Sequence, residues 1–75
     1  MSDTLLDAKG LKCPLPVLRA RKAMKPLAPG EVLQVLATDP SAVEDFKNFC
    51  ETTGDDLLES RAEGEVFVFR ICKAG

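Results

Sequence analysis

The chain has 75 residues, of which 45% are hydrophobic and 29% charged, and this composition is typical of one small globular domain over residues 1–75. A two-domain enzyme is excluded, and a deep substrate cleft is disfavoured because so small a domain buries only about 60% of the surface that its unfolded chain exposes. The net charge of -2 argues against a general affinity for nucleic acid. There is no secretory signal and no apolar run of membrane-spanning length, so we expect a cytoplasmic protein without a membrane partner.

The first half of the chain predicts a strand, a helix and a second strand. Thr4 to Ala8 resembles a short strand that ends in a glycine-containing loop. A helix is predicted to begin at Pro14 and to end in the segment Pro26 to Gly30. The mostly apolar run from Glu31 to Thr38 is typical of a central strand. The apolar stripe of the predicted helix consists of Val17, Leu18, Ala20, Met24 and Leu27.

The second half predicts a helix followed by a hairpin. Asp39-Pro40 and the capping box Ser41-x-x-Glu44 both mark a helix start, and Gly54 is placed for the C-terminal cap. The residues 56–62 and 65–73 then alternate as two strands that a two-residue turn joins. The apolar stripe of this second helix consists of Ala42, Val43, Phe46, Phe49 and Cys50.

Alternation along the last strand predicts which face of the sheet packs against the helices. The predicted core residues are Phe67, Phe69 and Ile71, and the residues of the other face are Val66, Val68, Arg70 and Cys72. The order β-α-β-α-β-β with right-handed crossovers predicts an α/β (α+β) two-layer sandwich, in which two helices cover one face of a four-stranded mixed sheet. The other face is apolar at Val68 and Cys72, which indicates either a docking surface or ordinary partial exposure.

The three cysteines, Cys13, Cys50 and Cys72, are expected to be free thiols, because their number is odd and no secretory signal accompanies them. There is no histidine and no C-x-x-C pair, so we expect no zinc site and no Cys-His or Ser-His-Asp nucleophile. Cys50 lies on an apolar stripe and is expected in the core. Cys72 is expected at the edge opposite Cys13 if the first and last strands are antiparallel, which argues against a disulfide between them.

The segment Cys13-Pro14-Leu15-Pro16 places a thiol at the junction between a loop and the first helix. Proline favours the first helical position and pushes the preceding residue towards extended backbone, so Cys13 is the predicted N-cap. The amide of Leu15 would then hold a thiolate on Cys13. Together with Lys9 and Lys12, the helix start is expected to lower the pKa of this thiol. The alternative is a cysteine that only caps the helix.

No general acid, general base or oxyanion hole is evident next to Cys13 in the sequence. Such a thiol suits transfer reactions in which sulfur is both the nucleophile and the leaving group.

The basic residues are concentrated around this cysteine. Residues 8–30 carry six bases and no acid, whereas residues 31–75 carry ten acids and four bases. A basic run is often only a solvated helix face, but cations near a cysteine favour a thiolate and attract an acidic partner. Direct RNA binding is disfavoured because no aromatic residue lies among the bases.

Four segments form a recognisable combination: Leu6-Asp7-Ala8, Gly10-Leu11-Lys12-Cys13-Pro14-Leu15-Pro16, Pro29-Gly30-Glu31 and Thr38-Asp39-Pro40. Together they resemble the TusA (SirA-like) sulfur-carrier family over nearly the whole chain. The resemblance implies the same β-α-β-α-β-β sandwich. It also implies that Cys13 carries a persulfide, within a C-P-x-P motif completed by Pro14, Leu15 and Pro16 and preceded by Gly10 in the longer turn G-L-x-C-P-x-P.

The resemblance implies a sulfur relay. A cysteine desulfurase or another donor protein supplies the sulfur, Cys13 accepts it as a persulfide, and an acceptor protein receives it for tRNA thiolation, molybdenum-cofactor maturation or sulfur metabolism. No cofactor or metal is expected, and the chain is expected to be a monomer. The residues expected near the partner interfaces are Lys9, Lys12, Arg19 and Lys22.

A second hypothesis belongs to a different class of function. The chain would be a non-catalytic interaction or regulatory module whose basic first helix docks an acidic partner. Such a module would keep its partner and its cellular phenotype without the Cys13 thiol, and would lose them on charge reversal at Arg19 and Lys22.

Overall fold

Strands and helices follow one another in the predicted order in a computed structural model that describes residues 4–74. The elements are β1 (Thr4–Ala8), α1 (Leu15–Met24), β2 (Val32–Ala37), α2 (Ala42–Thr53), β3 (Asp56–Glu63) and β4 (Val66–Cys72). Met1–Asp3 and Gly75, which the predicted domain includes, lie outside the described residues. Within residues 4–74, neither helix combines the length and the apolarity needed to cross a bilayer.

The four strands form one mixed sheet in the order β1-β2-β4-β3. β1 and β2 are parallel, and β4 is antiparallel to both β2 and β3. β1 ends beside Ala37 at the end of β2, whereas Cys72 pairs with Val32 at the start of β2. Cys72 therefore lies at the end of the sheet away from Cys13, as predicted.

The core lies between the sheet and both helices, which cover the same face as predicted. The buried sheet residues of the core cluster are Ala8, Leu33, Val35, Ala37, Phe69 and Ile71, and the buried helix residues are Ala20, Met24, Ala42, Phe46, Phe49 and Cys50. Phe46 stacks on Phe69 with ring centroids 4.6 Å apart, which joins α2 to the central strand β4. The predicted core positions Phe69 and Ile71 are fully buried, and Phe67 is half-buried.

Two predicted core residues of the helices are exposed instead. Leu18 is 50% exposed and Val43 is 40% exposed. In α1 the buried residues are Pro16, Ala20 and Met24, which are spaced four residues apart and so form one stripe. Leu18 lies two residues from Pro16 and is therefore on the opposite side of the helix. Val43 lies at the margin of the buried stripe of α2.

Val68, on the sheet face away from the helices, is better covered than predicted. The register places Val68 between Leu36 and Arg61, and Val68 is only 1% exposed. Arg61 forms ion pairs with Glu59 and with Glu63 along β3. Val68 is therefore neither partly exposed nor part of an open apolar surface, whereas Cys72 on the same face is half-buried.

Lys73, directly after β4, connects the C-terminal end of α1 to the sheet. Its Nζ donates hydrogen bonds to the carbonyls of Met24 at 2.9 Å and Lys25 at 3.3 Å. Its backbone forms hydrogen bonds with Gly30 and Glu31. The last carbonyls of a helix lack intrahelical partners, and a cation is favourable there because of the helix dipole. Lys73 therefore stabilises the end of α1.

Replacing Lys73 with methionine keeps most of the aliphatic stem and removes the cation together with both of its hydrogen bonds. We expect the free energy of unfolding to fall by about 1–2 kcal/mol, measured by urea denaturation followed by circular dichroism. The control is Lys47→Met, which changes an exposed lysine of α2 and should shift stability by less than about 0.5 kcal/mol. Equal losses in the two variants would contradict the role of Lys73.

Candidate functional site

Cys13 lies in the loop between β1 and α1, and it is exposed. Gly10 turns this loop with a φ of 82°, a conformation that residues with a Cβ adopt only with strain. The amide of Gly10 donates a hydrogen bond to Oγ1 of Thr38 at 2.9 Å. Since Thr38 directly follows β2, this bond ties the Cys13 loop to the neighbouring loop at the same edge of the sheet.

The start of α1 differs from the prediction, and Cys13 is not its N-cap. Pro14 occupies the capping position after a cis Cys13–Pro14 peptide bond, and Pro16 is buried in the first turn. The amide of Leu15 donates a hydrogen bond to the carbonyl of Lys12 at 2.8 Å. This amide therefore closes a turn around Cys13 and does not hold a thiolate, so the predicted sulfur–amide contact is wrong.

Two aspartates contact Cys13, one from the loop before α2 and one from its first turn. Its backbone amide donates a hydrogen bond to Oδ2 of Asp39 at 2.7 Å, and its Sγ donates one to Oδ2 of Asp45 at 2.6 Å. Asp39 also accepts a hydrogen bond from the amide of Ser41 at 3.0 Å, so one carboxylate connects the entry to α2 with the Cys13 loop. The expectation that no acid or base lies next to the thiol is therefore wrong.

The pKa of the Cys13 thiol is raised above its ordinary value. The main cause is the hydrogen bond to Asp45, followed by partial desolvation and by the negative charges of Asp45 and Asp39. The predicted lowering of this pKa by Lys9 and Lys12 is wrong. Lys12 instead lowers the pKa of Asp39 through its positive charge. The larger causes of that lowered pKa are the hydrogen bond from the Cys13 amide and then the hydrogen bonds from Ser41.

Sequence reasoning identified Asp39 as a helix-start signal and missed Asp45 as a partner of the thiol. The two aspartates lie 26 and 32 residues from Cys13 along the chain. The spacing of residues within the Cys13 motif contains no sign of such contacts, because only the crossover from β1 to β2 brings the two loops together.

Two surface grooves flank Cys13. The first, between α1 and α2, has a volume of about 240 Å³ and is lined by Pro14, Val17, Arg21, Asp45, Asn48, Phe49 and Thr52. The second has a volume of about 280 Å³ and is lined by Gly10, Leu11, Lys12, Thr38, Asp39 and Pro40. Asp45 faces the first groove and Asp39 faces the second. Each carboxylate that contacts Cys13 is thus accessible from one groove.

The residues predicted to bind partners are all exposed. Lys9 and Lys12 lie on the loop before Cys13, while Arg19 and Lys22 lie on α1. The last two share α1 with two exposed leucines, Leu15 at 44% and Leu18 at 50%. Spacings of three and four residues place these side chains side by side on the helix. We call this combination the α1 surface: Leu15, Leu18, Arg19 and Lys22.

The other two cysteines are less accessible than Cys13. Cys50 is buried in the core as predicted, and burial is the main cause that raises the pKa of its thiol to about 11. Cys72 is half-buried near the end of β4. Across residues 4–74 no group of three or more histidine, cysteine, aspartate or glutamate side chains is arranged to hold a metal ion.

Comparison with known proteins identifies the family to which this chain belongs. The profile of the family described as Sulfurtransferase TusA matches residues 4–73. The chain belongs to this family. The resemblance inferred from the sequence motifs is therefore confirmed.

Two curated relatives of the family are similar over nearly their whole lengths. The chain is 51% identical over 72 residues to the "Sulfur carrier protein TusA" of Allochromatium vinosum, covering 96% of this chain and 95% of that protein. It is 42% identical over 71 residues to the "Sulfur carrier protein TusA" of Pseudomonas aeruginosa, covering 95% and 90%. These relatives support a sulfur-carrier role, which implies that proteins supplying and accepting sulfur interact with the chain.

A solved structure has the same architecture. The SirA-like protein from Desulfitobacterium hafniense matches with a TM-score of 0.83 at 28% identity, covering 96% of this chain and 99% of that chain. The predicted two-layer fold is thereby confirmed.

Proposed function

We propose that this protein is a sulfurtransferase-type carrier that accepts sulfane sulfur as a persulfide on Cys13 and relays it to an acceptor protein. The donor is a cysteine desulfurase or another persulfide-bearing protein. The observation that carries the proposal is the setting of Cys13: it is the exposed cysteine of the chain, on a loop held by hydrogen bonds to Thr38 and Asp39. Family membership supports the same role.

The transfer requires only thiol chemistry. Sγ of Cys13 forms a bond to the outer sulfur of the donor persulfide while the donor's S–S bond breaks, and the electron pair of that bond stays on the donor cysteine. The proton of the Cys13 thiol passes to the departing donor thiolate. The products are a persulfide on Cys13 and a donor thiol, so neither an oxidant nor a reductant is consumed.

The motif residues are proposed to shape the site rather than to react. Gly10 permits the turn before the thiol, and the amide of Leu15 closes the turn that carries it. Pro14 and Pro16 flank the helix start, one at the capping position and one buried in the first turn. Their rings limit backbone motion, which keeps the thiol at the protein surface.

The basic residues are proposed to bind the donor and the acceptor. Lys9 and Lys12 lie on the Cys13 loop and the α1 surface lies beside it, so cations and exposed leucines surround the reactive sulfur. A partner with an acidic surface would be attracted to this region. The acceptor decides whether the sulfur serves tRNA thiolation, molybdenum-cofactor maturation or sulfur metabolism.

We also propose that the carrier acts as one domain over residues 1–75 in the cytoplasm. All three of its cysteines are free thiols, which is the state that reducing compartments maintain.

The test is intact mass spectrometry after incubation with a cysteine desulfurase, pyridoxal phosphate and cysteine. Wild type and the control Cys72→Ser are expected to gain the mass of one sulfur atom, which a thiol reductant removes, and Cys13→Ser is expected to gain none. Sulfur retained on Cys13→Ser would refute the assignment of Cys13. If none of the three proteins gains sulfur from several desulfurases, the interaction-module hypothesis becomes the better one.

A further inference from the structure

The contact between Asp45 and Cys13 is built on a rigid element. Sγ of Cys13 donates to Oδ2 of Asp45 at 2.6 Å. Asp45 is half-buried in the first turn of α2, where its amide donates to the carbonyl of Ser41 at 3.1 Å. The next residue, Phe46, is fully buried in the core. The carboxylate is therefore held next to the thiol by a packed helix.

The other charged groups around the thiol do not cancel this carboxylate. Asp39, from the loop before α2, holds the Cys13 amide and adds a second negative charge. Lys12, on the same loop as Cys13, lowers the pKa of Asp39 through its positive charge. Arg21 of α1 lines the same groove as Asp45, but the described structure contains no ion pair between them. The environment of the sulfur is thus negative, which agrees with the raised pKa of the thiol.

The hydrogen bond distinguishes the empty carrier from the loaded one. In the empty carrier Sγ bears a proton that it donates to Asp45. In the loaded carrier Sγ is bonded to the outer sulfur and bears no proton, so this hydrogen bond is lost. The outer sulfur of a persulfide ionises more readily than a thiol, and its negative charge is unfavourable near Asp45 and Asp39.

We infer that Asp45 is a positioning residue that stabilises the empty, protonated form of Cys13 and so favours discharge of the persulfide to the acceptor. This inference rests on the proposed sulfur-carrier function. In the discharge step an acceptor thiolate attacks the outer sulfur, and the S–S bond breaks with its electron pair on Sγ of Cys13. Sγ then takes up the proton that the acceptor thiol gave to solvent, and the hydrogen bond to Asp45 forms again.

The experiment compares Asp45→Asn with Glu44→Gln. Both substitutions remove one negative charge from the first turn of α2, but Glu44 is exposed and only Asp45 contacts the thiol. The first readout is the pH profile of Cys13 alkylation by iodoacetamide, followed on the Cys13 peptide by mass spectrometry. It needs no sulfur donor. The second is the ratio of loaded to empty carrier at a fixed ratio of glutathione persulfide to glutathione.

For Asp45→Asn we expect the alkylation midpoint to move to lower pH, with a rate at neutral pH that rises about threefold to tenfold. The loaded-to-empty ratio should rise by a similar factor, about threefold or more. Glu44→Gln should match wild type in both measurements. Unchanged far-ultraviolet circular dichroism shows that both variants are folded.

Several results would overturn the inference. One is an alkylation profile that Asp45→Asn leaves unchanged or that Glu44→Gln shifts equally. Another is a shifted profile with an unchanged loaded-to-empty ratio, which refutes the effect on discharge while sulfur uptake upholds the carrier function. If neither wild type nor Asp45→Asn takes up sulfur although alkylation shifts, the carrier function itself fails and the inference fails with it.

Discussion

Truncation of Phe46 to alanine is expected to lower the free energy of unfolding by about 3–5 kcal/mol. Phe46 is fully buried, stacks on Phe69 with ring centroids 4.6 Å apart, and meets Phe49 edge-on at 6.4 Å. The substitution removes the ring that joins α2 to β4 and leaves a cavity. A domain of this size has a total stability of about 4–11 kcal/mol, so the expected loss is a large fraction of the total.

The measurement is urea denaturation followed by circular dichroism, because the chain contains no tryptophan or tyrosine to serve as a fluorescent probe. Val43→Ala is the control, since this residue lies on the same helix and is 40% exposed. Its effect should stay within about 0.5 kcal/mol. A loss below about 1 kcal/mol in Phe46→Ala would show that the packing between α2 and the sheet contributes little to stability.

The double charge reversal Arg19→Glu with Lys22→Glu is expected to slow sulfur loading from a cysteine desulfurase by about tenfold or more at low salt. Both residues are exposed on the α1 surface, beside the loop that carries Cys13. Their reversal turns an attractive surface into a repulsive one for an acidic partner. The difference from wild type should shrink as salt is added, because exposed charges are screened. The initial rate of persulfide formation measures the effect.

Two comparisons separate docking from chemistry in this experiment. Lys47→Glu makes one reversal of the same kind on α2, and it should load much faster than a single variant, Lys22→Glu, that makes one reversal on the α1 surface. Loading of the double variant by cysteine persulfide, a small molecule that needs no protein interface, should be nearly unchanged. An equally slow Lys47→Glu, or slow loading by cysteine persulfide, would contradict a role for the α1 surface in donor binding.

The double charge reversal, together with Cys13→Ser, also tests the interaction-module hypothesis. In a module of that kind, Cys13→Ser keeps the partner and the cellular phenotype, whereas charge reversal at Arg19 and Lys22 removes both. A sulfur carrier instead loses its cellular function in Cys13→Ser. Measurement of partner binding and of the phenotype in both variants therefore decides between the two functions.

Local sequence patterns were sufficient to predict the order of strands and helices and most of the core residues. Period-two alternation predicted Phe69 and Ile71 as core residues, and helical spacing predicted the burial of Cys50, as the structure confirms. The same spacing could not show how wide each buried stripe is. Leu18 is exposed because α1 packs on the sheet through Pro16, Ala20 and Met24, which depends on how the helix lies across the strands.

The amino-acid sequence alone identified Cys13 and the motif around it that indicates the family, because a motif is defined by the order of residues along the chain. The protonation of its thiol depends on contacts that only the folded chain makes. The charged residues nearest to Cys13 along the sequence include Lys9 and Lys12, and these two cations predicted a lowered pKa for the thiol. The crossover from β1 to β2 brings Asp39 and Asp45, which lie 26 and 32 residues away along the chain, next to Cys13. Their charges and the hydrogen bond to Asp45 raise the pKa of the thiol instead of lowering it. Electrostatic interactions depend on distance in space, and for this sulfur that distance was decided by the tertiary structure.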